Sequence, residues 1–168
     1  VGLRGLRGRQ LLPLLLLLPV ALLASEVDNV VTALLPAPDV QPAVQEAVEE
    51  TASDTRLSLL ETAIVGVGLI PVVEEWFFRG IVQQGLIATM GAAAGIFVTA
   101  LFFALGHGAG LTPQAWASLL AQALLLGITY GHARHKTGSL LAPILLHVGV
   151  NGLGVAAMAT KHAVAVPG

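Results

Sequence analysis

From Leu57 onward the chain is almost entirely apolar, with polar residues confined to isolated positions and short breaks. Four long apolar runs stand out, at about 57–90, 92–108, 114–130 and 139–159. Each predicts a helix. The first is interrupted by Pro71 and by the cluster Glu74-Glu75…Arg79, and its length predicts a tilted span or one kinked near the proline. The second is rich in Gly and Ala, a composition that lets helices approach closely in lipid. A polar turn, GHARHKTG at 131–138, separates the third run from the fourth, which contains Pro143. Upstream, residues 1–25 couple a basic start to an apolar run of about 14 residues, shorter than the ~20 needed to cross a ~30 Å hydrocarbon core. This segment fits a cleavable signal peptide as well as a first membrane helix, and Pro13 and Pro19 weaken a regular helix in either case. Residues 26–56 are acidic and carry Pro36, Pro38 and Pro42, which predicts a polar loop with a short amphipathic helix after Pro42. The chain therefore divides into 1–25, the loop 26–56, a helical domain 57–160 and a tail 161–168.

Composition turns these helices into a membrane bundle. The 168 residues are 55% hydrophobic and only 11% charged, against roughly 25% charged in soluble domains. The expected fold class is all-α, a polytopic bundle of about four to five transmembrane helices. Cysteine is absent, which excludes disulfides and cysteine nucleophiles. No basic stripe with interleaved aromatics points to nucleic acid. Arg4, Arg7 and Arg9 open the chain, and seven of the ten acids lie between Glu26 and Asp54. Five spans return Arg134 and Lys136 to the side of the N-terminal arginines, as the positive-inside rule requires. The expected localisation is an integral membrane protein, of the plasma membrane, with a cytoplasmic N-terminus.

Charges inside a membrane segment cost a few kcal/mol or more and usually serve function. Three patterns place such residues one helical turn apart: Glu74-Glu75-x-x-x-Arg79, Phe103-x-x-x-His107 and His147-x-x-x-Asn151. Glu75 and Arg79 stand in the favourable order for an intrahelical ion pair. Glu74 is then left over, turned by about 100° on a 3.6-residue helix and suited to general acid–base work. Mere helix-to-helix glue accounts for one carboxylate and not for the second. A lone histidine in such a place is best read as a helix-to-helix hydrogen bond. Two of them, with an asparagine and an extra glutamate, supply a base, hydrogen-bond donors and possible metal ligands. His147 and Asn151 could form an oxyanion hole. His132 and His135 in the basic turn and His162 in the tail read as solvated or interfacial. Phe103, Trp76, Phe77 and Phe78 read as packing or lipid-facing groups.

Other intramembrane hydrolases leave marks that are missing here. There is no HExxH and no GxSG, and the aspartates Asp28, Asp39 and Asp54 all lie in the polar loop. Glutamate is the remaining acid for chemistry. EEWFFRG, FFALGH and TGSLLAPILLHVGVN resemble, in order and spacing, the three motifs of the CPBP family of CAAX prenyl endopeptidases and bacteriocin-processing or immunity proteins, over residues 60–155. The resemblance implies an intramembrane glutamate endopeptidase, an all-α bundle with a central polar cavity. It implies Glu74 as the base that activates water and His107 as its positioner. His147 and Asn151 would stabilise the oxyanion, with Glu75 and Arg79 in support. The family is often labelled metalloprotease, and Glu74, His107 and His147 are the set that would bind Zn²⁺; a metal-free site is the preferred expectation. The implied partners are a peptide or membrane-protein substrate and the bilayer. Family members commonly have more spans before the EExxxR helix. The competing reading is a non-catalytic membrane scaffold or bacteriocin self-immunity protein. A proton-relay transporter lacks the expected inverted repeat.

Overall fold

The structure, a computed structural model, describes residues 2–24, 26–34, 60–107 and 113–165. Among these residues every regular element is helical, in agreement with the all-α expectation. Helix α1 spans Gly8–Leu23 and α2 spans Glu26–Leu34. A long helical run follows in four segments: a π-helical stretch Thr62–Leu69, α3 (Ile70–Phe77), a second π-helical stretch Phe78–Val82, and α4 (Gln83–Met90). Helices α5 (Ala92–Leu105), α6 (Pro113–Thr137) and α7 (Leu141–Ala165) complete the chain.

The interruption expected near Pro71 takes the form of widened turns. Proline offers no N–H to the carbonyl four residues back, and its ring crowds that carbonyl. Just upstream, Ile70 N–H bonds to Val65 O, five residues back. The second widening follows the two glutamates, where Gln83 N–H reaches Phe78 O. Gly91 ends the run with φ +81°, a left-handed conformation that glycine adopts without penalty, and α5 folds back antiparallel onto α4.

Several boundaries differ from the sequence expectation. Glu26–Leu34 is helical where a loop is expected; the short helix expected after Pro42 lies outside the described residues. Helix α1 runs through Pro13 and Pro19 unbroken. It is packed against α6 and α7, with Leu14 buried among Tyr130, Ala133, Ala142 and Leu146. Residues 131–137 form the last turns of α6 rather than a turn, because basic side chains there complement the carbonyl end of the helix. The break comes at Gly138. Helix α7 continues to Ala165, into the expected tail.

Helix α5 lies between α4 and α6, and α6 contacts α2 and α7. A second core joins Phe103 and Ala104 of α5 to Ala123 of α6. The α5–α6 approach is close at Gly127, where an added Cβ would sit 2.9 Å from Ala100 Cβ.

Polarity is arranged inside-out in this bundle. Glu75, Arg79 and Gln83 are fully buried, whereas their neighbours Trp76, Phe77 and Ile81 are exposed, as are Phe97, Phe102, Leu125 and Leu145. Among the described residues no helix is long and apolar enough to cross a membrane. The 57–90 run is divided by its π-helical turns, α5 has 14 residues, and α6 carries glutamines and a basic end.

Gly127→Val is expected to destabilise the fold by about 1–3 kcal/mol through overpacking against Ala100. Gly85→Ala, with nothing within 4 Å of the new methyl, is expected to be neutral or stabilising by about 0.5–1 kcal/mol. Thermal unfolding of the two variants in the same detergent checks the contrast.

Candidate active site

The site is built on α3 and the π-helical turn after it. Glu75 and Arg79 pair as their spacing demands: Arg79 NH1 donates to Glu75 Oε1 at 2.8 Å, with both side chains fully buried. Arg79 NH2 donates across the bundle to Gly127 O at 3.1 Å. The guanidinium also lies 4.4 Å from the ring centre of Phe103 and 5.4 Å from that of Tyr130, distances at which aromatic faces attract a cation. Four residues further on, Gln83 Nε2 donates to Gly131 O. The stripe Glu75–Arg79–Gln83 thus joins this helical run to α6.

Glu74 turns to another side, as its one-residue offset requires, and remains partly exposed. Phe78 N–H is shared between the carbonyls of Glu74 and Glu75, and the turn widens only after it, where Gln83 N–H reaches Phe78 O. Such π-helical turns are frequent at functional sites.

Two histidines from other helices meet Glu74. His107, just beyond α5, places Nε2 3.8 Å from Glu74 Oε1. His147 of α7 places Nε2 3.8 Å from Glu74 Oε2. Each ring is held through its other nitrogen. His107 Nδ1 lies 2.7 Å from Phe103 O, a carbonyl that only accepts, so this nitrogen carries the hydrogen. His147 Nδ1 lies 3.0 Å from Glu75 Oε1, the oxygen already paired with Arg79, and donates to it. Both Nε2 atoms therefore face Glu74. The rings are packed as well: His147 stacks on Tyr130 with centroids 4.9 Å apart, and His107 rests on Phe103 at 4.5 Å. His147 is buried, while Glu74 and His107 are 25% and 31% exposed, so the cluster is open on the Glu74–His107 side.

The spacing of 3.8 Å is too long for a direct hydrogen bond and fits a water held by two groups at once. Glu74 Oε2 is buried with no hydrogen-bond partner among the described residues. That free acceptor is what a base for water requires.

Asn151 makes its hydrogen bond outside the Glu74–His107–His147 group. It sits one turn beyond His147 on α7, and its amide donates to Gly66 O of the first π-helical stretch at 2.9 Å. His132 and His135 are exposed, in line with their solvated reading, and the side chain of His162 lies outside the described residues. Phe103 packs as expected and adds a role through its backbone carbonyl.

Three participants escape a reading of sequence alone. Gln83 continues the i, i+4, i+8 series from Glu75, and that spacing could have revealed it. Tyr130 and the Gly127 carbonyl carry no local signal, because only the packing of α6 brings them to Arg79 and His147. Among the described residues no group of three or more His, Cys, Asp or Glu side chains is arranged to hold a metal ion.

The family model for type II CAAX prenyl endopeptidase Rce1-like proteins matches residues 56–153, more than half of the chain, and the match encloses every residue of this cluster. The chain belongs to the Rce1-like family of type II CAAX prenyl endopeptidases. Membership places it among CAAX-type proteases, a family that is membrane-associated in general and acts on peptide or protein substrates. Neither the curated proteins nor the solved structures give a match.

Removing one partner of a buried ion pair leaves the other charge uncompensated. Glu75→Gln is expected to cost about 3–5 kcal/mol, whereas Glu74→Gln, at a partly exposed group without an ion-pair partner of its own helix, is expected to cost about 1 kcal/mol or less. Denaturant unfolding of both variants checks the division between a structural and a chemical carboxylate.

Proposed function

We propose that the chain is an intramembrane endopeptidase in which Glu74 activates the attacking water. The observation that carries this reading is the convergence of the two imidazole Nε2 atoms on separate oxygens of the one carboxylate left free by the Glu75–Arg79 pair. A water between Glu74 and His107 gives a proton to the carboxylate as its oxygen bonds to the scissile carbonyl carbon. The carbonyl π electrons move to oxygen and form the oxyanion. When that intermediate collapses, the C–N bond breaks and the proton on Glu74 passes to the leaving amine.

His147 and Asn151 are the proposed oxyanion donors. His147 already donates Nδ1–H to Glu75, so its Nε2 donates to the oxyanion only when both ring nitrogens carry hydrogen. The Asn151 amide has two N–H donors; one serves Gly66 O and the other is available to substrate. Glu75 and Arg79 support the site by orienting His147. No step is routed through a metal ion.

The proposed setting is a membrane bundle of four to five spans with the polar cluster inside and the N-terminus cytoplasmic, in the plasma membrane. Family membership supports it, and so does the apolar exterior around a buried stripe of charge. Contiguous exposed apolar surface of this kind marks contact with an apolar partner. The proposed substrate is a peptide or a membrane-protein segment.

Cleavage of a quenched peptide library in proteoliposomes tests the reading. Glu74→Gln is expected to lower the rate by about 10²–10⁴, the contribution of a positioned base, with folding retained. His147→Ala is expected to do the same. A zinc chelator is expected to leave wild-type activity unchanged; loss restored by zinc would replace the water-only mechanism with a metal-assisted one. Unchanged cleavage by Glu74→Gln would sink the assignment.

A further inference from the structure

A second polar site lies at the other end of the Glu74 helical run, where the N-terminal segment crosses the α6–α7 turn. Leu140 N–H donates to Gly2 O at 2.9 Å, Ser139 Oγ bonds to Arg4 O, and Gln10 Nε2 donates to Thr137 O at 3.1 Å. These bonds hold residues 2–10 against the turn. Between them and the helical run is a cavity of 570 Å³ lined by Gly2, Arg4, Gly80, Gln84, Arg134 and Gly138, with Leu3 at its rim.

Arg134 is the group without an explanation. Its side chain is only 8% exposed, and its Nε is buried with no hydrogen-bond partner among the described residues. No salt bridge among the described residues gives it a carboxylate. The nearest charge is another cation: burial and the adjacent Arg4 both hold the Arg134 guanidinium below its ordinary value. No acidic side chain lines the cavity. Two guanidinium groups facing one polar space repel each other until an anion sits between them. Arginine's planar fork matches phosphate oxygens in particular.

We propose that Arg4 and Arg134 form a phosphate-binding site at the basic end of the bundle. Gly2 leaves room at the Arg134 fork, since a Cβ there would lie 3.2 Å from Arg134 NH2. Gln84 donates one amide N–H to Arg79 O at 3.1 Å and has the second to offer the anion. The exposed Leu3 beside the cavity and the exposed leucines of α1 suit the acyl portion of a phospholipid. A lipid headgroup and a free phosphate share the recognised chemistry and differ in whether that apolar surface is used. The site is separate from the Glu74 cluster and stands independently of the proposed protease activity.

The test is thermal unfolding of the purified full chain in neutral detergent, titrated with inorganic phosphate and, separately, with short-chain phosphatidylglycerol. A saturable rise of several degrees with either is expected; a rise with lipid alone assigns a headgroup, and a rise with phosphate alone assigns a free anion. Arg4→Gln and Arg134→Gln are expected to weaken binding at least tenfold. Arg7→Gln, on an exposed residue outside the cavity, is expected to leave it unchanged. Should Arg134→Gln fail to fold, the exposed Arg4→Gln decides. No response to either titrant, a response undiminished in Arg4→Gln, or an equal loss in Arg7→Gln would overturn the proposal.

Discussion

Burying the Arg79 guanidinium costs several kcal/mol in lost hydration before any contact repays it. Glu75 supplies the counter-charge from one turn away, the Gly127 carbonyl supplies an acceptor from α6, and the Phe103 and Tyr130 rings supply electron-rich faces. Satisfying this one cation requires α3, α5 and α6 to meet in a single arrangement. Gly127 is part of the same requirement, because a side chain there would push α6 away from Ala100 and withdraw the carbonyl from Arg79.

That arrangement explains why two adjacent glutamates do different things. Glu75 is committed to Arg79, and the same oxygen accepts from His147 Nδ1. The ion pair thereby fixes the ring's orientation and turns its far nitrogen toward Glu74, much as outer partners orient histidine ligands in metal sites. Glu74, one position earlier, is directed to the open side of the cluster. Glu75 and Glu74 are therefore linked through His147, and a change in the buried pair reaches Glu74.

At the second polar site the cations Arg4 and Arg134 have no such compensation among the described residues. The contrast is physical: Arg79 has an acid, a carbonyl and two rings, whereas Arg134 has a neighbouring arginine and no acid among the described residues; the Nε of each is buried without a partner among them. An apolar exterior around a charged interior agrees with a family that is membrane-associated in general.

Much of this was legible along the chain. Spacing alone paired Glu75 with Arg79, set Glu74 aside and put Asn151 one turn from His147, because helical periodicity decides which residues of one helix share a face; packing brought His107 and His147 to Glu74. The motif resemblance agreed with the family shown by residues 56–153. Packing decided the rest. The Tyr130 stack, the Gly127 carbonyl and the Asn151–Gly66 bond depend on which helices become neighbours, and nothing within one helix encodes that. The continuity of α1 through two prolines was hidden because each breaker sets a local cost of about 3 kcal/mol that burial against neighbouring helices offsets, and the extension of α6 through 131–137 because its basic side chains complement the carbonyl end of the helix. Sequence by itself determined the chemistry present and the face it occupies; tertiary structure determined which faces meet, because the free energy of meeting lies in contacts between residues far apart in the chain.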